Sequence, residues 1–125
     1  MTQDEYAFWM WLALGICFAF AILNVGVTCM LEKHIERKFC YWIKSQDHLC
    51  LKLRVDGQDG FPDRTVITKD ERVFFVEFKR TQKDKLRPQQ RKWKRLLESL
   101  GFTVLVTHSL EDAKGTFGQW LNQQQ

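Results

Sequence analysis

The chain has 125 residues, of which 45% are hydrophobic and 27% are charged, with a formal net charge of +4. This length allows one compact domain with an appendage. All 19 Lys and Arg residues follow Leu31, whereas residues 6–31 contain no charged residue. The composition therefore divides the chain into an apolar N-terminal segment, residues 1–31, and a basic domain, residues 32–125.

The apolar stretch of residues 7–31 is 25 residues long, and about 20 apolar residues are enough to span a bilayer as a helix. Its leading end is acidic and no small-residue cleavage site follows it, which argues against a secretory signal. Three basic residues come soon after it, namely Lys33, Arg37 and Lys38. Since positive charge favours the cytoplasmic side, we expect a transmembrane anchor that holds the basic domain in the cytoplasm.

Two other interpretations of this stretch stay open. It is also compatible with a buried helix of an oligomer. Alternatively, translation starts at Met30, because the residues that follow it make a self-sufficient domain.

In the basic domain, apolar residues at helical spacing predict an amphipathic helix over 31–46. Residues 49–55 alternate apolar and basic side chains, which predicts a strand with one wet face. A turn cluster, 56–63, leads to a short strand, a hairpin turn at 69–72 and an apolar strand at 73–79. The four cysteines lack zinc-knuckle spacing, so we expect reduced, packed thiols.

The last third of the chain predicts a helix, a strand and a final helix. Pro88 suits a first helical turn and Gly101 a helix stop, and Ser109 with Asp112 is typical of an N-terminal cap. The expected buried stripe of the first of these helices comprises Trp93, Leu96, Leu97 and Leu100. The element order is helix, three strands, helix, strand, helix, which indicates an α/β domain with a parallel βαβ unit.

The strand at 73–79 carries charged residues at one end. Side chains alternate along a strand, so Glu77 and Lys79 share a face and point the same way at its carboxyl end. If the hairpin pairs this strand with its neighbour, Asp63 comes within a few ångströms of Glu77. Two close carboxylates repel each other, and a hard divalent ion, Mg²⁺ or Mn²⁺, removes that conflict. Lys79 could then orient an attacking water, although a solvated ion pair between Glu77 and Lys79 is the simpler alternative.

The stretch GFPDR…VFFVEFKR…LRPQQRKW resembles the PD-(D/E)xK nucleases and, within them, the virus-type replication-repair nuclease (VRR-NUC) domain. The matching residues are Glu32 and Ile35 in the first helix, Gly60, Pro62 and Asp63, then Glu77 and Lys79, and finally Leu86, Pro88, Gln90 and Trp93. The resemblance implies a restriction-endonuclease-like core. It runs from about Glu32 to Ala113.

The resemblance also implies a set of site residues. The metal ion, Mg²⁺ or Mn²⁺, would be bound by Asp63, Glu77 and the Phe78 backbone carbonyl, and Glu32 would complete the site. Glu36 competes with Glu32 for that part, because it lies one turn further along nearly the same helix face. Lys79 would serve the attacking water. Gln90 falls on the buried stripe, where its polar side chain needs a partner that a site for water or phosphate would supply. The alternative for Gln90 is an amide at the edge of the stripe, in solvent.

Residues 79–95 contain nine Lys or Arg and one acid, a local net charge of +8. Such a run is often only a solvated face, but here it borders the expected metal site. We predict phosphate contacts with DNA through Arg80, Lys83, Lys85, Arg87, Arg91, Lys92 and Lys94. Phe61 and Trp42 could stack on bases, with core packing as the alternative for Trp42.

The sequence thus predicts a metal-dependent DNA endonuclease that hydrolyses phosphodiesters with a metal-activated water. The resemblance implies branched or flap DNA as the substrate, a homodimer, and viral or phage replication, recombination or repair as the setting. The alternative is a non-catalytic, membrane-tethered DNA-binding module. Domains of this family are usually soluble, so the apolar segment is the one departure from the family pattern.

Overall fold

The computed structural model describes residues 2–123. Within these residues the elements are the helix α1 (Gln3–Ser45), the strands β1 (Leu49–Leu51), β2 (Arg64–Ile67) and β3 (Val73–Phe78), the helix α2 (Pro88–Ser99), the strand β4 (Thr103–Thr107) and the helix α3 (Leu110–Asn122). The predicted order is confirmed, with one difference. The apolar N-terminal stretch and the amphipathic helix both belong to α1.

The chain divides into two compact units, Met1–Leu31 and Glu32–Gln125. In the first unit, the helical stretch Gln3–Asn24 is 22 residues long, has a mean hydropathy of 2.0 and is long and apolar enough to cross a membrane. Its aromatic residues are exposed, with Trp11 and Phe18 each 70% accessible. An isolated helix that is apolar on all sides needs a surrounding that covers it.

The second unit is built on a four-stranded sheet in the order β1-β2-β3-β4. The β1–β2 and β2–β3 pairs are antiparallel, whereas β3 and β4 are parallel. The strand β3 is therefore interior, and α2 connects it to β4 in the predicted βαβ unit. This arrangement places the carboxyl end of β3 beside the start of β2.

Hydrophobic residues cover both faces of β3. Phe74, Val76 and Phe78 pack with Phe39 of α1 and Phe117 of α3 in the larger core. On the opposite face, a smaller core joins Phe75 to Leu97 of α2 and Val104 of β4. The alternation predicted for this strand is confirmed, and the larger core explains why a strand of six residues contains three fully buried side chains.

The prediction for 49–55 is wrong in length. The strand ends at Leu51, and Cys50 is the buried residue, while Leu49 and Leu53 are 56% and 43% exposed. Cys50 pairs with Val66, which is fully buried, and directly opposed residues share a face of the sheet. The register with β2 therefore decides the face. Cys17, Cys40 and Cys50 are free thiols, and the Cys29 side chain lies outside the described residues.

The predicted stripe of α2 is only partly correct. Leu97 is buried, whereas Leu96 and Leu100 are 46% and 66% exposed. The buried face of the helix contains Gln90 and Leu97, and Leu97 belongs to the smaller core. Pro88 begins the helix and Gly101, at φ +90°, follows its end, as predicted. The cap of α3 is also as predicted, since the Asp112 N–H donates to Ser109 Oγ over 3.0 Å.

Candidate active site at the carboxyl end of β3

The antiparallel register of β2 and β3 brings two carboxylates together. Arg64 pairs with Val76, so Asp63, one residue before β2, lies beside Glu77. The Asp63 backbone N–H donates to Glu77 Oε2 over 3.1 Å. In return, the Phe78 backbone N–H donates to Asp63 Oδ2 over 2.8 Å. Both carboxylates are thereby fixed by the backbone of the neighbouring strand and do not depend on side-chain packing alone.

Gly60 brings the first turn of α2 against the turn that precedes Asp63. Its φ is +89°, and a Cβ at this position would lie 2.7 Å from Gln89 and 2.8 Å from the Gln90 backbone nitrogen. Trp93 strengthens the same contact, because its indole N–H donates to the Asp59 carbonyl over 3.2 Å. Only glycine fits here, so the close approach of helix and turn is built into the sequence.

Gln90 is 8% exposed and joins three parts of the site. Its amide nitrogen donates to Glu77 Oε1. Its amide oxygen accepts from Lys79 Nζ and from the Arg87 backbone N–H, both over 2.8 Å. The partner that a buried amide requires is therefore the candidate site itself. Arg87 immediately precedes α2, so Gln90 also fixes the start of that helix.

Lys79 lies directly after β3 and points into the same site. Its Nζ is 3.6 Å from Glu77 Oε1, and its side chain is 14% exposed. The Lys79 backbone N–H donates to the Thr107 carbonyl over 2.8 Å, which extends the pairing of β3 with β4 past Phe78. This backbone bond holds the lysine at the sheet edge. Its ammonium group is therefore within contact distance of both Glu77 and Gln90.

The structure separates the two candidate acids of the first helix. Glu36 is 7% exposed and is committed to Arg64 Nε at 2.7 Å and Lys52 Nζ at 3.3 Å. Glu32, one turn earlier, lines the same cleft as Asp63 and has an ion pair with Arg80 at 3.7 Å. Glu32 is thus the helix acid that faces the candidate site, and Glu36 ties α1 to the sheet beneath it.

Burial dominates the electrostatics of the three carboxyl groups. It raises the pKa of Glu77 to about 7, with the charge of Asp63 as the second cause and Lys79 opposing it. Burial also raises the pKa of Asp63, against the hydrogen bond from the Phe78 N–H. The pKa of Glu32 is raised by burial and then by Asp63. The site therefore disfavours full ionisation of its acids, and a bound cation would relieve this cost.

These groups surround a cleft of about 490 Å³, hereafter the main cleft. Its lining residues are Glu32, Asp63, Glu77, Lys79, Arg80, Asp84, Lys85, Arg87 and Gln90. Of the seven residues predicted to contact DNA, Arg80, Lys85 and Arg87 lie in this lining. Lys83, Arg91 and Lys92 are exposed nearby in the sequence, and Lys94 is paired with Glu98 on α2.

The side chains that line the main cleft can be compared with the ligands that a divalent metal ion prefers. Among residues 2–123, no three His, Cys, Asp or Glu side chains are close enough together to form a ready-made metal site. Mg²⁺, however, is commonly held by one or two carboxylates and keeps several waters. Asp63 and Glu77 supply two adjacent oxygen ligands at the main cleft, with Glu32 in the same lining. The donor set therefore fits a hard divalent ion that retains water.

The sequence patterns did not predict the salt bridges of Glu36 that connect α1 to the sheet next to the site. Arg64 directly follows Asp63 and forms the 2.7 Å ion pair with Glu36, which connects β2 to α1. Lys52 joins the same pair from the loop after β1. Their sequence signal was weak, because a basic residue in a turn or at a strand start is common. Only the register of the strands places the two cations on one acid.

The fold and the site together define an α/β domain of the nuclease type. In it, a turn with the residues P-D lies beside the carboxyl end of a strand that carries the motif E-x-K. The family model of the VRR-NUC domain matches residues 23–111, which is more than half of the chain. The chain belongs to the VRR-NUC family. A solved structure titled "VRR_NUC domain" has the same fold, with a TM-score of 0.68 and 23% identity over 72% of this chain and 97% of that chain. No curated protein matches the chain.

Membership in this family makes the chain a nuclease-type domain of the hydrolase class, with DNA as its substrate or partner. The family generally uses divalent metals.

Proposed function

We propose that this protein is a metal-dependent DNA endonuclease that hydrolyses phosphodiester bonds at the main cleft. The observation that supports this most directly is the hydrogen-bonded set of Asp63, Glu77, Lys79 and Gln90 at one end of β3. Four polar residues held together with low exposure are expensive to maintain for stability alone. Such a cluster is typical of a site whose electrostatics serve a reaction.

Asp63 and Glu77 would hold the divalent ion, Mg²⁺ or Mn²⁺, and Glu32 and the Phe78 carbonyl would complete the site. When bound, the ion supplies Lewis-acid stabilisation of the phosphate and lowers the pKa of water. Lys79 orients the attacking water and balances the developing negative charge. Gln90 holds Lys79 and Glu77 at a fixed separation, since its amide bonds to both.

The basic lining provides the contact with the DNA backbone. Arg80, Lys85 and Arg87 border the carboxylates in the main cleft, so phosphates entering it exchange solvent for these cations. The exposed Lys83, Arg91 and Lys92 extend the same positive region. Backbone contacts of this kind carry no base specificity, and we therefore infer selection by DNA structure, with flaps and branched junctions as the substrates.

The biological setting that we propose comes from the family. A virus-type replication-repair nuclease would act in viral or phage replication, recombination or repair, and in the host cytoplasm. A homodimer would present two clefts to the two strands of a junction. Sedimentation of the full chain on a four-way junction tests this, because one chain per junction would contradict the dimer.

The activity is tested by incubating the full chain with flap, four-way-junction and duplex DNA of one sequence, with Mg²⁺, Mn²⁺ or EDTA. We expect cleavage of the branched substrates with either metal and none in EDTA. Absence of cleavage on all three DNAs, or equal cleavage by the Asp63→Asn variant, would exclude the proposal. A Lys69→Ala variant serves as a control, since Lys69 is exposed in the hairpin turn at the other end of β2.

Metal binding is tested without any DNA. A ligand that binds only the folded state raises stability by about 2.7 kcal/mol at 100 times its Kd. We expect Mn²⁺ to raise the Tm of the chain and to leave that of the Asp63→Asn variant unchanged. Equal shifts for both proteins would place the metal elsewhere.

A second function is favoured by the apolar unit. The 22-residue stretch Gln3–Asn24 would make the protein a membrane-tethered DNA-binding module, with or without catalysis. We propose that it crosses the membrane with Lys33, Arg37 and Lys38 on the cytoplasmic side.

Carbonate extraction of membranes from cells that express the full chain should leave the protein in the pellet. Leu14→Lys places a charge near the middle of the span, at a cost to insertion of roughly 2.5–3.5 kcal/mol. This variant should therefore be released into the soluble fraction. Recovery of both proteins in the soluble fraction would exclude the anchor.

A further inference from the structure

The strand pairing next to Asp63 stops short of it on both sides. β1 pairs with β2 only as far as Leu51↔Thr65, one residue before Arg64 is reached. β3 pairs with β2 one residue further, at Arg64↔Val76, so Asp63 itself lies outside both ladders. The first residue of β2 is therefore paired with β3 alone, and β1 does not support its other edge.

A loop without regular secondary structure leads into this unsupported strand end. It comprises residues 52–63, between the end of β1 at Leu51 and the start of β2 at Arg64. Asp63 is its last residue, and Gly60 is the residue that contacts α2. Loops are more mobile than the strands they connect. The position of Asp63 therefore depends on what holds the two ends of the 52–63 loop.

Glu36 of α1 holds both ends of this loop. Its Oε1 accepts hydrogen bonds from Arg64 Nε over 2.7 Å and from Lys52 Nζ over 3.3 Å. Lys52 is the first residue of the loop, and Arg64 directly follows its last residue, Asp63. The side chains of Glu36 and Arg64 are 9% and 22% exposed, so solvent screens this ion pair less than an ion pair on the surface.

An ion pair of this kind is a weak source of stability. Two charged groups lose hydration when they are buried, and apolar side chains of similar size in their place are often as stabilising or more so. What the pair does supply is a fixed geometry, because a buried carboxylate needs its donors at defined positions. Since Arg64 is bonded to Asp63 through the backbone, fixing the Arg64 side chain restricts the movement of Asp63.

We propose that Glu36 is a positioning residue for the candidate metal site. By holding the two ends of the 52–63 loop together, it keeps the Asp63 carboxylate beside Glu77, although Glu36 does not itself line the main cleft. This inference rests on the proposed function, in which Asp63 holds the divalent ion. It gives the two acids of the first helix different parts, with Glu32 at the cleft and Glu36 acting through Arg64.

The position of Asp63 is measured first without metal, by amide hydrogen exchange of the full-length chain. The Asp63 N–H donates to Glu77 Oε2 and the Phe78 N–H donates to Asp63 Oδ2, so these two amides report on the contact. The reference is the Thr68 N–H, which is bonded to a backbone carbonyl at the far end of β2. For Glu36→Met we expect the exchange rates of the two amides, relative to the reference, to rise about 10-fold.

The affinity for Mn²⁺ is then measured by isothermal titration calorimetry without DNA. Residues that orient a metal ligand typically contribute roughly 10- to 100-fold to metal affinity, so we expect Glu36→Met to weaken Mn²⁺ binding about 10-fold. Arg64→Met distinguishes positioning from simple electrostatics. It removes a positive charge near the site, so charge alone would tighten Mn²⁺ binding, whereas loss of the ion pair would weaken it.

The double variant Glu36→Met/Arg64→Met separates positioning from stability. It replaces the ion pair by two apolar side chains and leaves neither charge unpaired, so its Tm should lie above that of Glu36→Met. We expect its Mn²⁺ affinity to stay as low as that of the single variants, because both substitutions remove the same contact. Recovery of Mn²⁺ affinity together with the Tm would show that Glu36 serves stability alone and would overturn the inference.

Ile43→Val is the matched control for stability, since it removes a methylene group from a fully buried side chain of the same helix. It should lower the Tm and leave the exchange ratio and the Mn²⁺ affinity unchanged. Equal changes in Ile43→Val and Glu36→Met, or Mn²⁺ binding by Arg64→Met that is unchanged or tighter, would also overturn the inference. Faster relative exchange in Glu36→Met without Mn²⁺ binding by the wild-type chain would support the positioning role and exclude the proposed metal site. Mn²⁺ binding that none of these variants alters would do the reverse.

Discussion

The carboxyl groups at the two ends of β3 have pKa values that are shifted in opposite directions. At the hairpin end, Asp70 accepts hydrogen bonds from the Arg72 guanidinium and from Thr68, which hold its pKa down to about 2. At the carboxyl end, Glu77 is 5% exposed, and burial beside Asp63 raises its pKa to about 7. Asp70 therefore has partners that stabilise its charged form, whereas Glu77 lies where burial disfavours its charged form.

The difference lies in what the cation near each acid also does. Arg72 is stacked over Trp120 at 4.6 Å and donates to the last carbonyls of α3, so it serves the stability of the hairpin end. Lys79 is 3.6 Å from Glu77 and shares its contact with Gln90, which leaves Asp63 with no cation at ion-pair distance among residues 2–123. Two acids that lie in a cleft with too little positive charge nearby would be stabilised in their charged form by a bound cation.

The largest effect should come from removing a carboxylate at the carboxyl end. For Asp63→Asn and Glu77→Gln we expect cleavage to fall roughly 1,000-fold or more, as the loss of several kcal/mol of transition-state stabilisation implies. Asp70→Asn makes the same chemical change at the hairpin end and should leave the rate unchanged. Single-turnover rates on one flap substrate measure all three. Similar losses for Asp70→Asn and Asp63→Asn would show that the two ends do not differ in function.

Gly60→Ala should cause the largest loss of stability. The added Cβ would meet Gln89 and Gln90 at 2.7–2.8 Å, at a φ of +89°. We expect the free energy of unfolding to fall by about 2–4 kcal/mol, with cleavage reduced because α2 is displaced from the site. Gly57→Ala is the control, since its φ is +71° but nothing lies within 4 Å of the new Cβ. It should cost about 1–2 kcal/mol from backbone strain alone. Equal losses in urea denaturation would exclude the close approach as the cause.

The raised pKa of Glu77 predicts a pH dependence of stability without metal. The folded state keeps its proton up to about pH 7, whereas the unfolded state loses it near 4.5. Stability should therefore fall as pH rises from about 4.5 to about 7, by at most ~3 kcal/mol. Glu77→Gln should flatten this fall, and so should Mn²⁺, which favours the ionised carboxylates. Chemical denaturation at a series of pH values tests it, and a wild-type profile that rises through this window would contradict the assignment.

Local patterns predicted most of the second unit. The faces of β3, the hairpin at 69–72 and both ends of α2 follow from strand alternation, turn residues and helix caps, which act over a few residues. The proximity of Asp63 and Glu77 could also be anticipated, because a short hairpin fixes the register of its two strands. The family motifs added the order in which these features occur.

Tertiary contacts decided what the sequence could not. Glu32 and Glu36 lie on nearly one helix face, and only the ion pair of Glu36 with Arg64 shows which acid remains for the main cleft. The inward turn of Cys50 follows from its register with Val66 and not from its own neighbours in sequence. Similarly, Leu96 and Leu100 match a helical stripe, but α2 presents Gln90 and Leu97 to the sheet instead.

The smallest effect belongs to the hairpin end and has the opposite sign. Because the pKa of Asp70 is lowered to about 2 by Arg72 and Thr68, its contribution to stability is present above about pH 3.8 and is lost as pH falls toward 2. Asp70 is exposed, so solvent screens this contribution. Asp70→Asn should therefore reduce the acid limb of the stability profile slightly and leave the region between pH 4.5 and 7 unchanged. High salt should have the same effect on the wild-type chain. If Asp70→Asn altered the neutral region instead, the two ends of β3 would be electrostatically coupled, and the fall above pH 4.5 could no longer be assigned to Glu77.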